Sequence, residues 1–143
     1  MKASAAQVLV VEPDAVIAID LLRLLRHLGT ETTTAGSGEQ AMELMRRWWF
    51  DLIVLNLRLR DINGLEVCRR LKLDPDLKDI PVIFLSTESN PQYRDIALRL
   101  GAVEYVTKPF ELEDFKQRVL AQLGRPSQPA ERANDRRRIL QET

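Results

Sequence analysis

The stretch DLIVLNLRLRDINGLEVCRRLK, residues 51–72, contains one complete strand–turn–helix unit. Its apolar run LIVL (52–55) is short and rich in branched side chains, as in a strand buried on both faces of a parallel sheet. Asn56 ends the run, a polar loop follows, and Asn63-Gly64 supplies turn chemistry. A helix is expected from about residue 65 to 73, ending before Asp74-Pro75.

The same alternation extends both ways. Runs 8–11, 81–85 and 103–106 read as further buried strands, and the threonine-rich 31–35 as an edge strand. Between them, Ile17, Leu21, Leu24, Leu25 and Leu28 fall on one helical face, with Gly29 as the stop. Ala41, Leu44, Met45 and Trp48 repeat the pattern after Ser37-Gly38-Glu39. Trp49 cannot share that face and is read as partly buried at the helix end or, less favoured, as part of a sticky surface patch. Tyr93, Ile96, Ala97 and Leu100 form a fourth stripe, and Phe110, Leu112, Phe115, Val119 and Leu123 a fifth. Five β/α repeats joined by right-handed crossovers predict a parallel sheet with helices on both faces. Ligands gather at the C-terminal strand ends of such sheets. That topology places Glu12-Pro13-Asp14, Asn56, Ser86-Thr87 and Lys108-Pro109 together.

Composition sets the outer bounds. The 143 residues suit one domain with a short appendage, and the formal net charge of zero favours neither nucleic acid nor an anionic membrane. A single cysteine, Cys68, excludes an internal disulfide and reads as a small core or boundary residue. The lone His27 sits near the end of the first helix and is given no function. VLVV (8–11) is too short for a signal core or membrane span, so a cytoplasmic protein without a membrane partner is expected. Residues 1–124 read as the domain. Residues 125–143, RPSQPAERANDRRRILQET, read as a charged linker, then a short helix from about Ala130 or a disordered tail. Arg136-Arg137-Arg138 is diluted by Glu131, Asp135 and Glu142, which argues against a nucleic-acid partner.

Residues 7–123 resemble a response-regulator receiver of two-component signalling. VLVVEPD (8–14), DLIVLNLRLRDINGLEVCRRLK (51–72), PVIFLS (81–86) and GAVEYVTKPF (101–110) carry the resemblance, strongly specific in this order and spacing. It implies a flavodoxin-like (βα)5 doubly wound sheet, strand order 2-1-3-4-5. In that family an acidic pair after the first strand and an aspartate after the third hold a divalent ion. The third-strand aspartate takes the phosphoryl group, which a hydroxyl residue and a lysine then hold. Hard oxygen ligands suit Mg²⁺, and metal and lysine neutralise the transferred charge.

This chain departs from that pattern at the chemistry. Asn56 stands at the phosphoacceptor position, and a carboxamide is a poor oxygen nucleophile. Glu12 holds the first acidic position, but Pro13 stands at the second, with Asp14 one step late. Ser86 fits the hydroxyl position, Lys108-Pro109 the lysine–proline pair, and Tyr105 the aromatic thought to switch rotamer in the family. Arg60 stands where the loop usually has proline. Glu12 and Lys108 balance without a metal, so Mg²⁺ binding is expected to be weak or absent. Lys108 is expected either to pair with Glu12 or to bond the Asn56 side-chain oxygen. Ser86 and Thr87 have a plainer role open to them, satisfying backbone groups at the head of the fourth helix.

The expected function is a stand-alone pseudo-receiver, not an enzyme: a phosphorylation-independent protein-interaction module. Its partners would be a sensor kinase, another response regulator or an output protein. The family's usual partner face, around the fourth helix, fifth strand and fifth helix, would draw on Arg94, Leu98, Arg99, Val103, Tyr105 and Lys116, and could make a homodimer. The alternative is a phosphoacceptor that uses Asp14 or Asp61 as a substitute acid. An unrelated flavodoxin-like nucleotide binder is disfavoured, because EPDAV (12–16) is no glycine-rich phosphate loop.

Overall fold

A computed structural model describes residues 5–124. Ten elements alternate: β1 (Gln7–Val11), α1 (Ala15–His27), β2 (Glu31–Ala35), α2 (Gly38–Arg47), β3 (Leu52–Leu55), α3 (Gly64–Leu73), β4 (Val82–Ser86), α4 (Pro91–Arg99), β5 (Glu104–Thr107) and α5 (Leu112–Leu123). The five strands form one parallel sheet in the order β2-β1-β3-β4-β5. The anticipated flavodoxin-like topology is therefore present, with threonine-rich β2 at an edge.

Alternation along the strands divides the core into two layers. Val8, Val10, Leu52, Val54, Ile83 and Leu85 pack with Leu21 and Leu25 of α1 and Phe115 and Val119 of α5. Leu9, Val11, Ile53, Leu55, Val82 and Phe84 face the other way, onto Ala41 and Met45 of α2, Val67, Cys68 and Leu71 of α3, and Ala97 of α4. Cys68 is thus a fully buried core thiol, and burial raises its pKa.

Local chemistry fixes the helix starts. Asp14 caps α1 by accepting the N–H groups of Val16 (2.9 Å) and Ile17 (3.2 Å). Ser37, Asn63 and Asn90 cap α2, α3 and α4 in the same manner. Gly29 and Gly101 end α1 and α4 at φ +89° and +110°, conformations that a side chain would strain. Gly64 opens α3 where no Cβ fits, since an added one would lie 2.2 Å from the Asn56 carbonyl oxygen.

Three expectations about the core are corrected. Trp48 is about half exposed and Trp49 is buried, because α2 ends at Arg47 and Trp48 is already extended, at φ −127°. The change of backbone direction turns Trp49 inward, where its indole N–H donates to Asp51 Oδ1 at 3.1 Å. Ile96 and Leu112 are exposed as well. The α4 stripe narrows to Ala97 with partly buried Tyr93 and Leu100, and Leu112 is the first residue of α5, ahead of its buried face. The expectations for residues 125–143 lie outside the described residues. No described helix is long and apolar enough to cross a membrane.

Candidate functional site

Four loops converge at the C-terminal ends of β1, β3, β4 and β5. β1 delivers Glu12, whose backbone N–H continues the ladder to the Ala35 carbonyl at 2.9 Å. β3 delivers Asn56, whose N–H reaches the Val11 carbonyl at 3.0 Å. β4 ends in Ser86, and the Lys108 N–H donates to the Ser86 carbonyl at 2.7 Å. The Lys108–Pro109 peptide is cis.

Glu12 is the centre. Its side chain is 3% exposed, and both carboxylate oxygens are engaged. Oε1 accepts Lys108 Nζ at 2.7 Å and Asn56 Nδ2 at 3.1 Å. Oε2 accepts the same amide at 3.2 Å and the Asp14 backbone N–H at 3.0 Å. A buried charge needs a counter-charge and filled hydrogen-bond positions, and Glu12 has both. Of the two arrangements open to Lys108, the ion pair with Glu12 is the one present. Asn56 Oδ1 instead faces the Arg58 backbone N–H, at 3.4 Å.

The acids proposed as substitutes are engaged elsewhere. The Asp14 carboxylate caps α1. Asp61 reaches across to the head of α2, accepting the N–H groups of Gly38 (2.9 Å) and Glu39 (2.8 Å). Those bonds, Glu39 first, hold the Asp61 pKa below its usual value. Neither geometry resembles a nucleophile in the pocket, so the alternative of a substitute phosphoacceptor loses its support.

The residues also fail to fit the divalent ion that the resemblance implies. Mg²⁺ would need oxygen ligands around it. Pro13 provides no side-chain oxygen, and the lone carboxylate is saturated by an ammonium and amide donors. The Arg60 guanidinium Nη2 donates to the Pro13 carbonyl at 3.0 Å, which brings a further cation to the same loop. Among the described residues no group of three or more His, Cys, Asp or Glu could hold a metal ion.

Ser86 is buried and accepts the Glu88 backbone N–H at 3.1 Å, a bond within the β4–α4 loop, while the head of α4 is capped by Asn90 instead. Thr87 is exposed. Tyr105 lies inward, 3% exposed, its ring stacked on Phe84 at a centroid distance of 5.9 Å. Its hydroxyl donates to the Glu88 carbonyl at 2.7 Å, and burial pushes its pKa up, against a lowering hydrogen bond from Ser86.

On the expected partner face, Arg94, Leu98 and Arg99 are exposed on α4, and Arg94 Nη1 lies 3.4 Å from the Tyr105 carbonyl. Two members are corrected. Tyr105 is too buried to offer a contact surface, and Val103 is half-buried against the α1/α5 layer. Lys116 pairs with Glu113 at 3.3 Å. The sequence reading missed Arg58 and Glu88, which form an ion pair between the β3–α3 and β4–α4 loops. The available signal was positional: each lies two residues beyond a pocket residue, Asn56 or Ser86, on adjacent parallel strands.

Comparison with known proteins identifies the family. The family model described as "Response regulator receiver domain" matches residues 8–120. The DNA-binding response regulator MtrA of Mycolicibacterium paratuberculosis is 36% identical over 126 residues, which cover 87% of this chain and 55% of that protein. The response regulator ArlR of Staphylococcus aureus is 32% identical over 122 residues, 85% of this chain and 54% of its own length. The chain thus spans about half the length of these relatives. A response-regulator structure from Chloroflexus aurantiacus superposes with TM-score 0.81 at 29% identity, covering 85% of this chain and all (100%) of that one. The receiver domain of a histidine kinase from Syntrophus aciditrophicus gives 0.77 at 31% identity, covering 83% and 90%. Fold and sequence similarity agree, and the chain belongs to the response regulator receiver domain family of two-component signalling.

Proposed function

We propose that this receiver is a pseudo-receiver: a cytoplasmic, phosphorylation-independent interaction module rather than a phosphoacceptor or enzyme. One observation carries the reading. At the acceptor position the Asn56 amide donates to Glu12, and Lys108 closes the same carboxylate. The place of nucleophile and metal is taken by a neutral, internally satisfied network. A ligand shifts a protein between states only through its differential affinity for them. With acceptor and metal donors replaced, phosphoryl input loses its differential contacts.

Control would come from abundance or partner binding. The partner would be a sensor kinase, another response regulator or an output protein. The exposed Arg94, Leu98 and Arg99 of α4 offer the contact, and a homodimer through the α4–β5–α5 face is one form of it. A titration with Mg²⁺ and beryllofluoride, a phosphoryl mimic, followed by amide NMR tests the reading. The spectrum should stay unchanged at Glu12, Asn56, Ser86 and Lys108. Saturable shifts there would show a pocket that still accepts metal and phosphoryl group.

A further inference from the structure

Opposite charges stand at matching offsets on two neighbouring loops. Arg58 lies two residues past Asn56, and Glu88 two residues past Ser86. β3 and β4 pair in parallel, so the two loops leave the sheet side by side. Arg58 Nε donates to Glu88 Oε1 at 3.0 Å, and Nη2 donates to the same oxygen. The Glu88 backbone is tied too: its N–H donates to Ser86 Oγ at 3.1 Å, and its carbonyl accepts the Tyr105 hydroxyl at 2.7 Å. On the other side, the Arg58 N–H faces Asn56 Oδ1 at 3.4 Å. Contacts therefore run without a gap from the pocket amide to the buried ring of Tyr105, and the ion pair links the β3–α3 loop to the β4–α4 loop.

We propose that Arg58 and Glu88 form a charged latch that holds the β4–α4 loop over the pocket and Tyr105 inward without any phosphoryl group. The latch rests on the phosphorylation-independent reading, and it supplies a contact that biases the domain toward one state. A guanidinium from one loop and a carboxylate from the next make this connection. The Arg58 side chain is 67% exposed and Glu88 28%, so the latch is a moderate, salt-sensitive bias and not a lock. A partner that competes for either charge would release Tyr105, and with it the backbone that Arg94 of α4 touches.

Nitration by tetranitromethane reads this directly. Its rate at Tyr105 is followed by peptide mass spectrometry, with N-acetyltyrosine amide in the same solution as the standard. Arg58→Gln and Glu88→Gln should each raise the Tyr105 rate about two- to fivefold, the range of an exposed ion pair. High salt should do the same to the native chain. The charge swap Arg58→Glu with Glu88→Arg should return the rate to the native value, which separates a lost latch from general unfolding. Unchanged Tyr105 rates in both single variants, or a swap that stays as fast as they are, would overturn the latch. Phosphoryl uptake by the same variants is read separately, by intact mass. Uptake would contradict the pseudo-receiver reading while leaving the latch result standing.

Discussion

Glu12 and Lys108 are 96 positions apart in sequence, yet Lys108 Nζ lies 2.7 Å from Glu12 Oε1. The side chains are 3% and 13% exposed. Removing one partner of such a pair leaves an uncompensated buried charge. Lys108→Met should lower unfolding stability by roughly 3–5 kcal/mol in urea titration, and Glu12→Gln added to it should recover a large part. A loss within experimental error would mean that the pair is solvated.

Asn56→Asp tests the amide. Two donor contacts to Glu12 would be replaced by a second carboxylate beside it. The introduced carboxyl should keep its proton to higher pH than a free aspartate, because a like charge disfavours ionisation. With the folded pKa raised, its cost is absent below about pH 4 and grows as pH rises through the raised value. The variant should lose about 1–3 kcal/mol at pH 7 and little near pH 4, read as paired urea titrations. Equal losses at both values would contradict it.

Glu66 gives a surface test of the electrostatics. Hydrogen bonds from Arg69 first and Arg70 second lower its pKa to about 2. Its contribution should be fully present above the unfolded value of about 4.5 and fade as pH falls through about 2. Carboxyl carbon NMR should show this late titration. Arg69→Gln should raise the midpoint more than Arg70→Gln, and the reverse order would rule out the dominance of Arg69.

Gly64→Ala should destabilise the domain by roughly 1–3 kcal/mol in chemical denaturation, since its new Cβ would meet the Asn56 carbonyl oxygen, a backbone atom that cannot swing aside. The loop holding Asn56 would have to shift. A neutral outcome would mean that the β3–α3 turn is looser than its geometry.

The two tryptophans show where sequence periodicity stopped being informative. The stripe Ala41, Leu44, Met45 is real, but extending it to Trp48 assumed one more helical residue than forms. Trp49→Ala should therefore cost roughly 3–5 kcal/mol, as burial of a large aromatic implies, and Trp48→Ala far less. Similar losses in the two would reverse the assignment.

The five strands and the gathering of Glu12, Asn56, Ser86 and Lys108 were legible, because short apolar runs mark buried parallel strands and ligand loops meet at their C-terminal ends, while the sheet order followed from the resemblance to receivers. Hydrogen-bond partners of charged loop residues were not. Asp61 reads as a spare acid in sequence, and only the folded loop brings it to the head of α2. Arg58 and Glu88 are ordinary exposed charges until β3 and β4 are laid side by side. Such pairings depend on contacts between segments remote in sequence, which local pattern does not encode.

The most direct measurement is intact-mass analysis after incubation with Mg²⁺ and a small phosphoryl donor, beside a double variant carrying Asn56→Asp and Pro13→Asp. The account predicts no phosphoryl adduct on the native chain and an adduct on the double variant. An adduct on the native chain would contradict it, and the modified residue would identify the side chain that accepts the group.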